Sequence, residues 1–529
     1  MAFAGALVMN NSERSLVLVL GDNPVEKAEF EGRRLSLTPI AIQQLDDDNL
    51  ICGARGILLS SFPGKFALFK SYFENNFYRA CELGLMTAAC VAKKGTRVSA
   101  LRNEAYTKAG LFEDIGDLTK RMECFDVLPW VYVSDKLCAI AEAFARYEPG
   151  PPLGTTEIDE SSITEPLSRD AKVLLKRAFY DCDLITVERL TGGKTTKETF
   201  RVFANLAGPE FGPQPMPFFV KMGNPESIAH EKRNYRTRAE PFIPFPLRPS
   251  LIEARCATTL TSAALACNFV PSAASLRDAL QTGQGDGAIF SLFEFTLRGL
   301  RSHTLNAPKG PGVLQTFFDP KNGRVRTNEI EEKWPSRIEG LNNYPTSRKP
   351  KEVEGVLRQF AAQVEAREGT YHGDLHAGNI MVRNRDAIVI DFGSMTPFGP
   401  LSADPAFLEV SLVFGTDNHD KASSFDAWRE FVDHIFLDPL SPPPPKAGYH
   451  QFAWLHKAIR ELRHVVTCCG VERNEALIIL AGCLLRFGRL TPPELNSPEL
   501  MTLAENRTVY ALVIADQICM KLEEHHAAC

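Results

Sequence analysis

Short apolar runs separated by helix-sized segments mark the first 150 residues: SLVLVL at 15–20, GILLS at 56–60, TAACVA at 87–92 and PWVYV at 129–133. Each run is long enough for one strand and each interval for a crossover helix, which predicts a parallel sheet covered by helices. Beyond residue 180 the pattern changes. ITVERLTGGKTTKETFRVFA at 185–204 reads as strand, polar loop, strand. PFFVKMG at 217–223 is a further strand with a single lysine, Lys221, which the period of two sets opposite its neighbours. AIFSLFEFTLRG at 288–299 predicts an apolar strand leading into a short polar stretch. From 424 onward FDAWREFVDHIF, FAWLHKAIRELRHVV, EALIILAGCLLRF and TVYALVIADQICMKL repeat apolar residues at helical spacing.

Two stretches break these patterns. EPGPPLGTTEIDESSITEP at 148–166 has no apolar periodicity and cannot continue a helix or a central strand. It divides the chain into an expected domain at 1–147, a linker at 148–166 and a second domain at 167–525. SPPPPK at 441–446 reads as a stiff connector between helices. A length of 529 residues agrees with more than one core. Hydrophobic residues at 44%, charged residues at 23% and a net charge of −6 exclude broad disorder and do not suggest a nucleic-acid binder. The thirteen cysteines include no CxxC pair, and Cys468 and Cys469 are sequence neighbours, which fits a reduced, cytoplasmic protein without structural zinc. The start MAFAGALVMNNSER lacks a basic segment before an apolar core, so neither secretion nor a membrane anchor is expected.

The candidate chemistry lies in residues 371–393, YHGDLHAGNIMVRNRDAIVIDFG, where two polar constellations flank one apolar strand, AIVI. Asp374 and Asn379 stand five positions apart on what reads as one loop, so a carboxylate and an amide oxygen can converge on one phosphate and metal neighbourhood. Asp391 closes the strand. Phosphoryl transfer needs little covalent work from a protein. Positioning, a carboxylate near the nucleophile and hard oxygen ligands for Mg²⁺ suffice. Upstream, Gly192 and Gly193, followed by Thr195 and Thr196, can bring backbone N–H groups against phosphate oxygens.

The form HGDLHAGN, His372 to Asn379, resembles the protein-kinase-like superfamily, and within it the aminoglycoside phosphotransferase and choline kinase branch. That branch runs HGDLHxGN where protein kinases have HRDLKxxN, and Phe392 and Gly393 complete an IDFG match. The resemblance implies an α+β bilobal kinase-like domain with ATP as donor, an N-lobe at about 167–297 and a C-lobe at about 298–525 that ends in a helical subdomain. It implies that Asp374 is the catalytic base, that Asn379 and Asp391 hold Mg²⁺, and that Lys221 meets the α and β phosphates. Glu231, within SIAHEKRNYRTRAE, is the expected partner of Lys221, with Glu226 as rival. Backbone groups near Glu294, Phe295 and Thr296 would meet adenine. Asp404 and Pro405 match the family's DPxxDLA segment, with Glu409 in place of its second aspartate. Trp454, His456 and His464 read as packing and surface residues of the last helices. The chain is also similar to the ternary complex associated phosphotransferase-like domains predicted in bacterial signalling and conflict systems.

The N-terminal pattern resembles a response-regulator receiver or another flavodoxin-like α/β domain, with Asp22 after the first strand. A receiver carries its phosphoacceptor aspartate at the end of the third strand, and here that strand ends in Ser60 and Ser61. A binding or docking module without phosphorylation is the expectation. For the whole chain the expected function is an ATP-dependent phosphotransferase acting on a hydroxyl of a small molecule or, secondarily, of a protein. The alternative is a nucleotide-binding pseudokinase-like regulator that docks a protein partner through its N-terminal domain. Aminoglycosides are disfavoured as acceptors, because Lys457, Arg460, Arg463, Arg473, Arg486 and Arg489 make the C-terminal helices basic.

Overall fold

The computed structural model describes residues 14–528 apart from 22–27, 47–49, 52, 63–70, 73–74, 92–130, 135–136, 148, 191–197, 209–211, 215, 260, 320–322, 345–346, 417–424, 442–443, 445–447 and 492–494. The chain forms two compact units, Met1–Lys232 with Ser250–Phe269, and Arg233–Pro249 with Val270–Cys529.

The first unit holds two sheets. Strands β1 (Leu16–Leu20), β2 (Ser36–Ile40), β3 (Ala54–Phe62), β4 (Met86–Val91) and β5 (Val131–Ser134) are all parallel and ordered β2-β1-β3-β4-β5. That is the order of flavodoxin-like doubly wound sheets. The near-continuous apolar strands bury both faces, as such a sheet requires. Leu18, Leu20, Ile57 and Leu59 pack with Tyr72 and Phe77 on one face, whereas Val17, Val19, Leu58 and Met86 pack with Phe30, Ile140 and Phe144 on the other. Gly56 lies under the Phe144 ring, and a Cβ there would clash with that ring and with Met86 O of the neighbouring strand β4. Ser60, at the end of β3, is buried and donates to Leu20 O at 3.3 Å. Asp22 lies outside the described residues.

The second sheet runs β11-β12-β10-β8-β7-β6, with β9 paired to β8. Its strands are β6 (Glu157–Asp159), β7 (Cys182–Arg189), β8 (Glu198–Leu206), β9 (Gly212–Pro213), β10 (Phe218–Gly223), β11 (Ala257–Thr258) and β12 (Ala263–Asn268). All pairs are antiparallel except β6 with β7. One face is covered by the helix Arg169–Ala178, whose N-cap Ser168 accepts from Ala171 N at 3.2 Å. Leu174, Leu175 and Phe179 there meet Val187, Phe200, Val202, Val220 and Met222.

The run at 148–166 is built into this unit. Glu157–Asp159 adds an edge strand, and the fully buried Arg177 draws four carbonyls together. Its Nε donates to Pro151 O at 2.9 Å, Nη2 to Pro149 O at 2.5 Å, and Nη1 to Glu82 O at 3.1 Å and Thr258 O at 2.6 Å. Glu82 belongs to the α/β domain and Thr258 to the second sheet, so one side chain joins both to the segment between them.

The second unit is mostly helical. Strands β13 (Ala274–Ser275), β16 (Ile380–Arg383) and β17 (Asp386–Val389) form one small antiparallel sheet, and β14 (Lys309–Gly310) pairs with β15 (Ala366–Arg367). The expected C-terminal helices are Phe425–Ile435, Ala453–Cys468, Arg473–Arg489 and Pro498–Ala528. Every residue of the helix Ala403–Phe414 is buried, which makes it the centre of this packing. Among the described residues, no helix is long and apolar enough to cross a membrane.

One element differs from expectation. The stretch at 288–296 is not a strand but an α-helix, Ala288–Ser291, running into a π-helix, Leu292–Thr296. Ile289, Leu292, Phe293 and Thr296 are buried at helical spacing, while Phe290 and Phe295 are 58% and 52% exposed. An apolar run this dense satisfies both periods, and packing decides between them.

Candidate active site

The loop from Tyr371 to Asn379 is shaped by a carboxylate beneath it. Asp404, near the start of the central helix, accepts from His372 N at 2.8 Å and from Gly373 N at 3.0 Å. Burial raises the Asp404 carboxyl above its usual range, and His372 with the two backbone bonds opposes this only in part. His372 is fully buried and spans the loop: its Nδ1 accepts from Asp374 N at 3.4 Å and its Nε2 meets Ile390 O at 3.1 Å. That pattern assigns the proton to Nε2. Gly373 has a φ of 77°, and a Cβ there would lie 2.5 Å from Ser394 O, so the turn before Asp374 needs glycine.

Asn379 is tied into the same loop, because its Nδ2 donates to Asp374 O at 2.9 Å. The Oδ1 on the other arm of that amide is a hard donor of the kind Mg²⁺ takes. Ile390 N donates to Asn379 O at 3.0 Å and extends the β16–β17 ladder by one bond, which brings Asp391 to the same end of the hairpin. Asp391 is in the left-handed region, φ 61° and ψ 83°, and accepts from Gly393 N at 3.3 Å. Asp and Asn tolerate that conformation better than other non-glycine residues. Asn379 and Asp391 thus suit a Mg²⁺ ion that also keeps water and phosphate ligands. Among the described residues, no three His, Cys, Asp or Glu side chains gather as a closed metal site.

Burial alone raises the Asp374 carboxyl, but Arg486, with His376 and His372, outweighs it and holds the group below the ordinary aspartate value. Asp374 is therefore held in its ionised form at neutral pH.

Lys221 and Glu231 belong to the first unit. In β10, Val220 and Met222 face the core under the helix Arg169–Ala178. Lys221 faces the other way, opposite Leu265 of β12, on the side where Ile228 packs. Glu231 lies one turn beyond Ile228 on the helix Pro225–Asn234 and meets Lys221 Nζ at 2.9 and 3.0 Å. Both side chains are 5% exposed. Lys221 therefore pairs with Glu231, and not with the rival Glu226 at the start of that helix. A charge pair so buried is a poor way to gain stability, since desolvation offsets its attraction.

Other expected site residues fare differently. Gly192, Gly193, Thr195 and Thr196 lie outside the described residues. Glu294, Phe295 and Thr296 form no strand edge: they lie in the π-helix, where Glu294 pairs with Arg301 at 3.3 Å and Thr296 donates to Ala387 O at 2.5 Å. The helical backbone there is engaged in its own bonds and offers no strand edge of the kind the sequence predicts. Glu409, in the place of the family's second aspartate, is buried and accepts from Arg463 Nη2 at 2.7 Å and Nε at 3.1 Å. His456 is buried and His464 sits beside Cys468 at the exposed end of its helix. The basic C-terminal helices are largely neutralised. Arg463, Arg473, Arg486, Arg489 and Lys457 pair with Glu409, Asp438, Asp374, Glu329 and Asp286. Most of these acids come from elsewhere in the chain, and counting charge helix by helix misses them.

Two residues of this region carry no motif. Asn234, fully buried, donates from Nδ2 to Phe392 O at 3.0 Å and Gly393 O at 3.3 Å, and Tyr235 packs edge-on against Phe392 with ring centroids 5.7 Å apart. Arg486 donates to Asp374. Its sequence signal is a charge inside an otherwise apolar helix, which implies a buried partner.

Residues 349–490, which include Asp374, Asn379, Asp391 and Arg486, match the family profile of ternary complex associated domain 9. Among curated proteins, none matches the chain. Similar solved structures are phosphotransferases. Aminoglycoside phosphotransferase APH(4)-Ia is 12% identical with a TM-score of 0.37, over 63% of this chain and 93% of that one. Spectinomycin phosphotransferase APH(9)-Ia, in complex with ADP and spectinomycin, is 12% identical with a TM-score of 0.30, over 62% and 92%. Plasmodium vivax ethanolamine kinase is 11% identical with a TM-score of 0.31, over 62% and 81%.

Proposed function

We propose that the chain is an ATP- and Mg²⁺-dependent phosphotransferase that moves the γ-phosphate to a hydroxyl of a small molecule. The observation that supports this best is the hairpin end at which Asn379 Nδ2 donates to Asp374 O and the Ile390 N to Asn379 O bond brings Asp391 to the same end. There an ionised carboxylate stands beside two hard-oxygen donors. In this reading Asn379 and Asp391 would hold Mg²⁺, which when bound would supply positive charge to the phosphates. Asp374 takes the acceptor's proton, and Lys221, fixed by Glu231, meets the α and β phosphates. Gly192, Gly193, Thr195 and Thr196 are proposed to offer backbone N–H groups to those phosphates.

A domain at 1–147, joined through 148–166 to a kinase-like domain at 167–525, completes the reading, with the first acting as a receiver-like docking module. A cytoplasmic setting suits the thiols, since each cysteine whose side chain is described is free. The alternative, a nucleotide-binding regulator with little turnover, draws on Ser60, which stands where a receiver would place its acceptor.

The test pairs calorimetry of ATP binding, with and without Mg²⁺, with phosphate transfer across a panel of hydroxyl metabolites, for the wild type and Asp391→Asn. We expect Mg²⁺-dependent binding and turnover in the wild type, and loss of turnover in a folded Asp391→Asn protein. Binding without turnover toward any acceptor would favour the regulator, and full activity in the variant would overturn the site.

A further inference from the structure

Asp374 is not equally free at its two oxygens. Arg486, from the helix Arg473–Arg489, donates from Nη2 to Asp374 Oδ1 at 2.7 Å and from Nη1 to Gly373 O at 2.7 Å. Its guanidinium lies over the Phe407 ring, 4.0 Å from the centroid. The arginine side chain is 7% exposed and that of Asp374 31%, so a cation sealed from solvent grips a carboxylate that opens toward it. The other oxygen, Oδ2, stands 3.9 Å from His376 Nε2, beyond hydrogen-bond reach. Two bonds from one planar fork to consecutive residues fix both the Gly373 peptide and the Asp374 carboxylate plane. A lysine, with a single flexible ammonium, would hold one of them less rigidly. Arg324 steadies the far side of the turn through Nη2 to Ser394 O at 2.6 Å.

We infer that Arg486 is a positioning residue that anchors Oδ1 of Asp374 and the Gly373 carbonyl, so that Oδ2 is the oxygen presented to the acceptor hydroxyl. The inference rests on the phosphotransfer reading. In the step it serves, the acceptor O–H bond breaks and its proton goes to Asp374 Oδ2. The acceptor oxygen bonds the γ-phosphorus as the bond to the β–γ bridging oxygen breaks, and that electron pair leaves with ADP. Arg486 forms none of these bonds; it sets the angle at which the base meets the hydroxyl, where small misplacements are costly.

The experiment uses the full chain, with Arg486→Met and Arg486→Lys. Hydrogen exchange over 371–379 is read by mass spectrometry, beside ATP affinity and turnover. We expect Arg486→Met to speed exchange in that loop by about ten-fold or more while the helix Pro498–Ala528 keeps its protection. Turnover should fall by about ten-fold or more, with ATP affinity within about two-fold. Arg486→Lys should lie between, and it carries the test if the methionine variant does not fold. Unchanged exchange over 371–379 in the folded variants would overturn the inference whatever the turnover, as would a loosened loop with full kcat. A wild type that transfers phosphate to no acceptor would instead sink the phosphotransfer reading and the role of Oδ2 with it, while exchange still decides whether Arg486 orders the loop.

Discussion

At the scale of single residues, the proposed site would separate chemistry from binding: Asp374 carries an ionised carboxylate, and in the proposed reading Asn379 and Asp391 would offer hard oxygens to a metal. Asp374→Asn keeps size and the acceptor arm toward Arg486 but cannot take a proton. We expect kcat to fall on the order of 100-fold with ATP affinity little changed, measured by paired calorimetry and transfer assays. Unchanged turnover would mean that the chemistry lies elsewhere. At Asp391 the left-handed backbone makes asparagine the cleaner probe, since alanine would add conformational strain to the lost ligand. Asp374, Asn379 and Asp391 are legible in the sequence because one contiguous motif contains all three. Arg486 is not, because its partner lies 112 residues earlier and nothing local in an apolar helix reveals which loop it will reach. Lys221 and Glu231 fall between these cases: a lone lysine in a strand and a glutamate ten residues on are ordinary until burial pairs them.

At the scale of elements, strands of both sheets were readable as short apolar runs bounded by turn residues, as at SLVLVL and PFFVKMG. The stretch at 288–296 was not, since its apolar density fits strand and helix alike and its outcome depends on contacts with β17 through Ser291 and Thr296. The π-helix Tyr235–Ala239 was equally hidden, because its residues, YRTRA, give no local sign of a wider turn. Directly before it, Asn234 reads the carbonyls of Phe392 and Gly393, the two residues that follow Asp391. Asn234→Ala would leave those carbonyls without that donor and Arg238 without its acceptor. We expect a loss of about 1–3 kcal/mol in chemical denaturation, together with weaker Mg²⁺-dependent ATP binding by calorimetry. Wild-type stability and affinity in this variant would show that the Asp391 turn holds its shape unaided.

At the scale of the molecule, the segment at 148–166 has the composition of a tether, yet the structure uses it as a joint. Proline lacks an N–H but keeps its carbonyl, and the carbonyls of Pro149 and Pro151 are what Arg177 requires. Composition reports flexibility of the free chain and is silent about which acceptors a distant arginine will claim. A chain beginning at Ser168 would lose β6, both proline carbonyls and Glu82 O, leaving a buried guanidinium short of partners. We expect it to melt well below the full chain or to be insoluble, read by thermal denaturation; equal stability would show that the second sheet stands alone. The same joint bears on inheritance. Gly84 and Gly150 both lie against the Arg177 guanidinium with positive φ, and a side chain at Gly84 would meet Nη2 at 2.3 Å. In a genetic screen for loss of the proposed activity, alleles would therefore map to the first 150 residues as well as to the Asp374 loop, marking a fault in assembly and not in chemistry.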